Sequence, residues 1–286
     1  MKRKIFRRII TVFTFIVIAW LVFARYGLKF RISDSKAKTK FSKAGVMLTT
    51  ETIKVNGFEM HYAKTGSDTM PTIFFVHGSP GGWNAFEKYM QDKDMLVKYR
   101  MISVDRPGFG YSRFGEARNL QEQSKLIFPL VKSLQNGKPM YAAGHSSGGP
   151  LIAKLQTGYE NLFSGLVFLA ASVDPDEEKP EKWRTVFQKI PFKYFLPGAF
   201  RPSNEELLYL KKDLRELDTE WDKITCPVWI VHGEKDGFVP VRNVDYAKKK
   251  LVNAKSIEVK ILPGARHFIP WEQYGEIKDL LMKLPV

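Results

Sequence analysis

Residues 138–150 read Lys138-Pro-Met-Tyr-Ala-Ala-Gly-His-Ser-Ser-Gly-Gly-Pro150. The short apolar run 140–143 has the length and character of a buried strand, and residues 151–155, Leu-Ile-Ala-Lys-Leu, suit a helix. Between them Gly144-His145-Ser146-Ser147-Gly148 must turn sharply. Glycines flank the serine because a Cβ at either position would meet the adjoining strand or helix. Ser146 is thereby lifted into the open. The helix that follows turns its unpaired N–H groups and positive dipole end toward it, which suits a developing negative charge. G-x-S-x-G in this setting of strand, turn and helix marks a nucleophile elbow rather than an ordinary glycine-rich βα turn.

Outward from that stretch, strand and helix patterns alternate. Residues 52–65 form two alternating runs around Asn56-Gly57, a hairpin signal. Buried-strand patterns follow at 72–76, 101–104, 140–143, 166–170, 228–231 and 256–262, with helical spacing at 121–134 and 241–251. Such alternation implies a doubly wound, mostly parallel α/β sheet whose active residues lie at the carboxyl ends of the strands. Those ends carry His77-Gly-Ser-Pro-Gly-Gly82, Asp105-Arg-Pro-Gly-Phe-Gly-Tyr-Ser112, His232-Gly-Glu-Lys-Asp-Gly-Phe-Val-Pro240 and Pro263-Gly-Ala-Arg-His-Phe268.

The chain has 286 residues, 44% of them hydrophobic, enough for one large core. Its net charge of +15 is concentrated at the start, where residues 1–45 hold twelve basic side chains against Asp34 alone. A nucleic-acid footprint on the folded domain is therefore not expected. The single cysteine, Cys226, excludes an internal disulfide and a Cys-rich metal site; no metal and no cofactor are expected. Residues 9–24 are uncharged and strongly apolar behind a basic head. They read as an uncleaved signal anchor in preference to a cleaved signal peptide, because the stretch is aromatic and Trp20 stands near its far end. The expected division is a membrane segment at 1–24, a basic stem at 25–50 read as a solvated linker, and a folded domain at 51–286. A short, highly charged amino terminus is hard to translocate, so the expected arrangement is single-pass with the folded domain on the extracytoplasmic side.

The motifs at the strand ends, in this order, resemble the α/β-hydrolase fold serine hydrolases of esterase and lipase type, from about residue 52 onward. The resemblance implies Ser146 as nucleophile, Asp236 as acid and His267 as base, in the family's chain order. It further implies an oxyanion hole from the N–H groups of Ser79 and Ser147, and a structural role for the Asp105 loop. Asp174, after the 166–170 strand, is a competing acid, since some relatives place theirs there. His77 and His232 precede glycines at strand ends and are expected to fix loops. The insert at about 174–221, between strands 6 and 7, reads as a mostly helical lid. Its aromatics, Trp183, Phe192 and Phe195 among them, either pack the lid or line an apolar acyl pocket. A small-molecule ester is the expected substrate, cleaved through an acyl-enzyme intermediate. The serine disfavours epoxide hydrolases, which resemble the fold but use an aspartate nucleophile. A prolyl-iminopeptidase-like aminopeptidase and a non-catalytic binding protein on the same fold remain as alternatives.

Overall fold

The computed structural model describes residues 2–179 and 181–286. The strands are β1 (Thr49–Val55), β2 (Phe58–Thr65), β3 (Thr72–Val76), β4 (Arg100–Val104), β5 (Met140–His145), β6 (Gly165–Leu169), β7 (Val228–Gly233) and β8 (Ile257–Leu262). They form one sheet in the order β1-β2-β4-β3-β5-β6-β7-β8. β1 and β2 pair antiparallel through the expected turn, where Asn56 and Gly57 both have positive φ, 51° and 78°. β2 joins β4 antiparallel, and every later pairing is parallel. The longer helices are α1 (Lys2–Tyr26), α2 (Asp34–Lys43), α3 (Leu120–Ser133), α4 (Gly148–Gly158), α5 (Phe200–Leu217), α6 (Arg242–Lys250) and α7 (Tyr274–Met282).

Both faces of the sheet are covered, because alternate side chains of each buried strand point to opposite sides. Phe74, Val76, Ile102, Val104, Ala142 and Phe168 pack with α3, α4 and α6 on one face. Ile73, Phe75, Met101, Ala143, Val167 and Val231 pack with Trp83, Tyr89, Tyr99 and α7 on the other. β3 has β4 on one side and β5 on the other, so the strand order reverses there. In open α/β sheets the crevice at such a reversal, outside the carboxyl ends of the strands, is where ligands bind. The loops carrying His77 and Ser146 both leave the sheet at that point.

The reading of residues 25–50 as a solvated linker does not match the structure. Residues 34–43 form α2, Ala37 and Phe41 are fully buried, and the Phe41 ring lies 6.0 Å from that of Trp83. Two apolar side chains four positions apart share one helix face, and the lysines between them stay in solvent. The segment between β6 and β7 contains a short helix (Lys182–Val186), a 3₁₀ turn (Phe192–Phe195) and α5, with no strand among its described residues. α1 is apolar and long enough to cross a membrane, with only 6% of its most apolar stretch buried against the rest of the protein.

Candidate active site

Ser146 sits at φ +54°, a left-handed conformation unusual for a side-chain-bearing residue and held only where the surroundings enforce it. Its N–H donates to the Leu169 carbonyl (3.0 Å), and its own carbonyl accepts from Gly149 N–H (2.9 Å). The flanking glycines are obligatory. A Cβ on Gly144 would stand 2.4 Å from the Gly148 carbonyl oxygen, and one on Gly148 would stand 2.4 Å from that of Val76. Ser146 is partly exposed between buried neighbours, and its hydroxyl makes no hydrogen bond among the described residues.

His267, in the loop after β8, is paired through Nδ1 with Asp236 Oδ2 at 2.7 Å. Asp236, in the loop after β7, accepts through Oδ1 from the N–H groups of Phe238 (2.9 Å) and Val239 (2.8 Å). Burial alone would raise the Asp236 carboxyl. The His267 hydrogen bond and the two backbone donors more than offset it and hold the group below the usual carboxylate range. An ionised Asp236 accepts from His267 Nδ1–H, which leaves the lone pair on Nε2. Asp174 has other partners: its Oδ1 accepts from Asp176 N–H and its N–H donates to Asn243 Oδ1, each at 2.8 Å.

The remaining histidines fix structure. His77 donates from Nδ1 to the Gly78 carbonyl (2.7 Å) and accepts from Arg106 N–H at Nε2 (3.0 Å), and burial pushes it well below the ordinary histidine range. His232 donates from Nε2 to the Val239 carbonyl (2.9 Å). His61 faces Thr52 across the hairpin ladder. The His145 ring lies 4.8 Å from that of His267 and its Nε2 donates to the His267 carbonyl (3.1 Å), so it supports the His267 loop. Burial, with the neighbouring imidazole adding to it, pushes His145 down to about 3.

The N–H groups of Ser79 and Ser147 donate to no acceptor among the described residues. A Cβ on Gly78 would approach Ser146 Cβ to 3.0 Å, so the Ser79 loop runs directly beside the elbow. A buried arginine missed in the sequence ties these parts together. Arg106 makes a two-pronged pair with Glu206 on α5 (2.8 and 2.9 Å) and donates to the Gly78 carbonyl (3.0 Å) and Ser147 Oγ (3.3 Å). Ser79 Oγ donates to Ser203 Oγ, also on α5, at 2.8 Å. Asp105 accepts from Trp83 and Tyr111 N–H, and burial pushes its carboxyl up to about 7. It braces the loop and is hydrogen-bonded to none of Ser146, Asp236 and His267 among the described residues.

Trp183 and Phe192 are each nearly half exposed; Trp183 meets Phe187 edge to face and carries the Arg184 guanidinium over its ring. Phe195 contributes its carbonyl to Trp20. No hydrogen bond or ring contact joins these three to Ser146, Asp236 or His267 among the described residues. The aromatic rings beside His267 belong instead to Phe238 (5.4 Å) and Phe268 (5.6 Å), and Trp271 lies 5.1 Å from His145. The signal for them was their place in the loops and turns after β7 and β8. Among the described residues no group of three or more His, Cys, Asp or Glu side chains could hold a metal ion.

Proteins similar to this chain are named for different chemistries. The mouse serine hydrolase BPHL is 24% identical over 265 residues, covering 84% of this chain and 87% of that protein. Epoxide hydrolase 1 of Caenorhabditis elegans is 23% identical over 167 residues, covering 57% of this chain, which spans only 41% of that longer protein. A crystal structure of a membrane phospholipase A, described as a bacterial virulence factor, superposes with a TM-score of 0.63 at 17% identity and covers 98% of both chains. A family model described as the alpha/beta hydrolase family matches residues 73–280, the span from β3 through α7 that carries every loop of the site. On that match and on its eight-stranded, largely parallel sheet, the chain belongs to the alpha/beta hydrolase family.

Proposed function

We propose that this hydrolase cleaves carboxylic esters through an acyl-enzyme intermediate, with Ser146 as nucleophile, His267 as base and Asp236 as the acid that orients it. The observation that carries this reading is the 2.7 Å pairing of His267 Nδ1 with Asp236, which leaves Nε2 as the proton acceptor at the carboxyl edge from which Ser146 rises. Ser146 Oγ attacks the ester carbonyl as Nε2 takes its proton, and Asp236 stabilises the imidazolium. The free N–H groups of Ser79 and Ser147 receive the oxyanion. The leaving alcohol takes the proton from Nε2. Water then repeats the sequence on the acyl carbonyl and frees Ser146. In this reading the contact between Ser146 and His267 tightens when substrate binds, as catalytic hydrogen bonds commonly do.

The same reading makes residues 174–221 a lid and α1 an uncleaved single-pass anchor, with the domain of residues 51–286 on the extracytoplasmic side. A membrane-proximal esterase meets lipidic esters, so the test panel includes glycerophospholipids, the kind of substrate implied by the name of the membrane phospholipase A neighbour. A fluorophosphonate probe is expected to label the wild-type protein at Ser146 alone. Ser146→Ala should abolish labelling while the melting temperature stays within a few degrees. Label on Ser147 in that variant would move the nucleophile.

A further inference from the structure

The far end of α1 is bonded to the segment between β6 and β7. Trp20 Nε1 donates to the Phe195 carbonyl (3.0 Å), Gly198 N–H to the Ala24 carbonyl (2.8 Å) and Ala199 N–H to the Leu28 carbonyl (2.9 Å). The rings of Phe30 and Phe200 meet edge to face at 5.8 Å. A Cβ on Gly198 would stand 2.1 Å from the Gly27 carbonyl oxygen, so the two backbones touch with no side chain between them. Whatever depth the end of α1 takes in a bilayer, the 192–200 turn shares.

Helix geometry supplies that depth. Trp20 precedes Arg25, the first charge after the apolar run, by five residues, roughly 7 Å at a rise of about 1.5 Å per residue. The turn bonded to Trp20 therefore lies about 7 Å to the apolar side of that charge, within the ~5–10 Å at which interfacial segments bury their apolar face. Its composition fits the position. Trp183, Val186, Ile190, Phe192, Tyr194 and Phe200 are all exposed, Ile190 to 70%. Among them stand Lys182, Arg184, Lys189, Lys193 and Arg201 against Glu181 alone. Aromatic rings interleaved with lysine and arginine match the boundary between acyl chains and anionic headgroups, where the rings sink and the charged ends reach back to phosphate.

We propose that residues 182–201 form a bilayer-docking surface, seated together with the end of α1 in the headgroup region of a membrane that carries anionic lipids. Its attachment to the site runs through α5, whose Ser203 and Glu206 hold Ser79 and Arg106. The membrane-seated segment thus runs directly into the helix that supports the loops beside Ser146. The inference rests on the reading of α1 as a membrane anchor, and the test separates failure of one from failure of the other.

The full chain is reconstituted in vesicles of phosphatidylcholine and phosphatidylglycerol, with a nitrobenzoxadiazole label on Ile190→Cys, Val186→Cys, Phe15→Cys or Val252→Cys. Burial raises the Cys226 thiol to about 11, so at neutral pH the label goes to the introduced cysteine. Val252 follows α6 at the amino ends of the strands, away from the proposed surface, and circular dichroism checks each fold. Lipid carrying a shallow spin label should remove most of the emission at positions 186 and 190, and almost none at 252, while lipid spin-labelled deep in its acyl chain should quench position 15, which lies about 15 Å from Arg25 along α1. Quenching at 15 without quenching at 186 and 190 would overturn the docking surface and leave the anchor standing. No quenching at 15 would overturn both. Changing Lys189 and Lys193 to Gln should lessen quenching at 190 in phosphatidylglycerol vesicles and not in pure phosphatidylcholine; no difference between the two lipids would remove the anionic headgroup from the proposal.

Discussion

Asp236 and Asp174 both stand after strands at the edge where Ser146 emerges, and a sequence cannot show which carboxylate meets a histidine thirty or ninety residues away. The structure gives Asp236 to His267 and occupies Asp174 with Asp176 and Asn243. Asp236→Asn is expected to lower ester turnover by about 10⁴-fold, because an amide there favours the wrong tautomer. Asp174→Asn should stay within a few-fold of wild type in the same assay, and the opposite ranking would reassign the acid. His145 makes a second prediction at this scale. Its folded pKa of about 3 lies below the ordinary ~6.5, so between these values the unfolded chain binds a proton that the folded chain does not. Stability therefore rises with pH across that window and is lost on acidification. Asp105, raised to about 7, acts in the opposite direction and His77 in the same one, so the comparison must be with a variant that retains both. Between pH 6 and 4, wild type should lose stability faster than His145→Gln by on the order of 1.4 kcal/mol per pH unit. Parallel urea-denaturation midpoints for the two proteins would refute the assignment.

Elements with a strong period were legible, and those defined by a distant partner were not. The six parallel-sheet strands fell within a residue or two of their sequence signals, since continuous β-branched and aromatic runs bounded by glycine admit little else. α2 was missed because Ala37 and Phe41 are its only apolar residues of consequence among lysines, and the surface that buries Phe41 belongs to Trp83, more than forty residues on. Arg106 was invisible for a similar reason. Glu206, its counterion, lies a hundred residues away on α5, and both side chains are buried. Removing one partner of such a pair strands the other's charge, at a cost of about 3–5 kcal/mol, whereas replacing both with apolar residues is often neutral. Glu206→Gln should therefore destabilise strongly. The double variant Arg106→Met with Glu206→Leu should recover most of that stability but not turnover, because Arg106 also donates to Gly78 and Ser147 beside the elbow. Turnover recovering along with stability would reduce the pair to a packing device.

Across the whole molecule the exposed aromatic residues divide into two populations that the sequence could not separate, since both follow sheet strands at the edge where Ser146 emerges. Trp183 and Phe192 sit on the segment joined to α1, whereas Phe238 and Phe268 stand 5.4 and 5.6 Å from His267. Among the described residues only the second population has rings in contact with His267, and we place the acyl chain against it. Each methylene such a chain buries contributes about 0.8 kcal/mol, roughly a fourfold gain in kcat/KM where the contact is made in the transition state. Medium-chain esters should therefore exceed acetate in kcat/KM. Phe268→Ala should cut that advantage while leaving acetate nearly unchanged, because the loss falls on the chain and not on the reacting carbonyl. Phe192→Ala should leave the chain-length profile in detergent unaltered. A profile flattened by Phe192→Ala and indifferent to Phe268→Ala would return the acyl pocket to the lid and take Phe192 away from the bilayer.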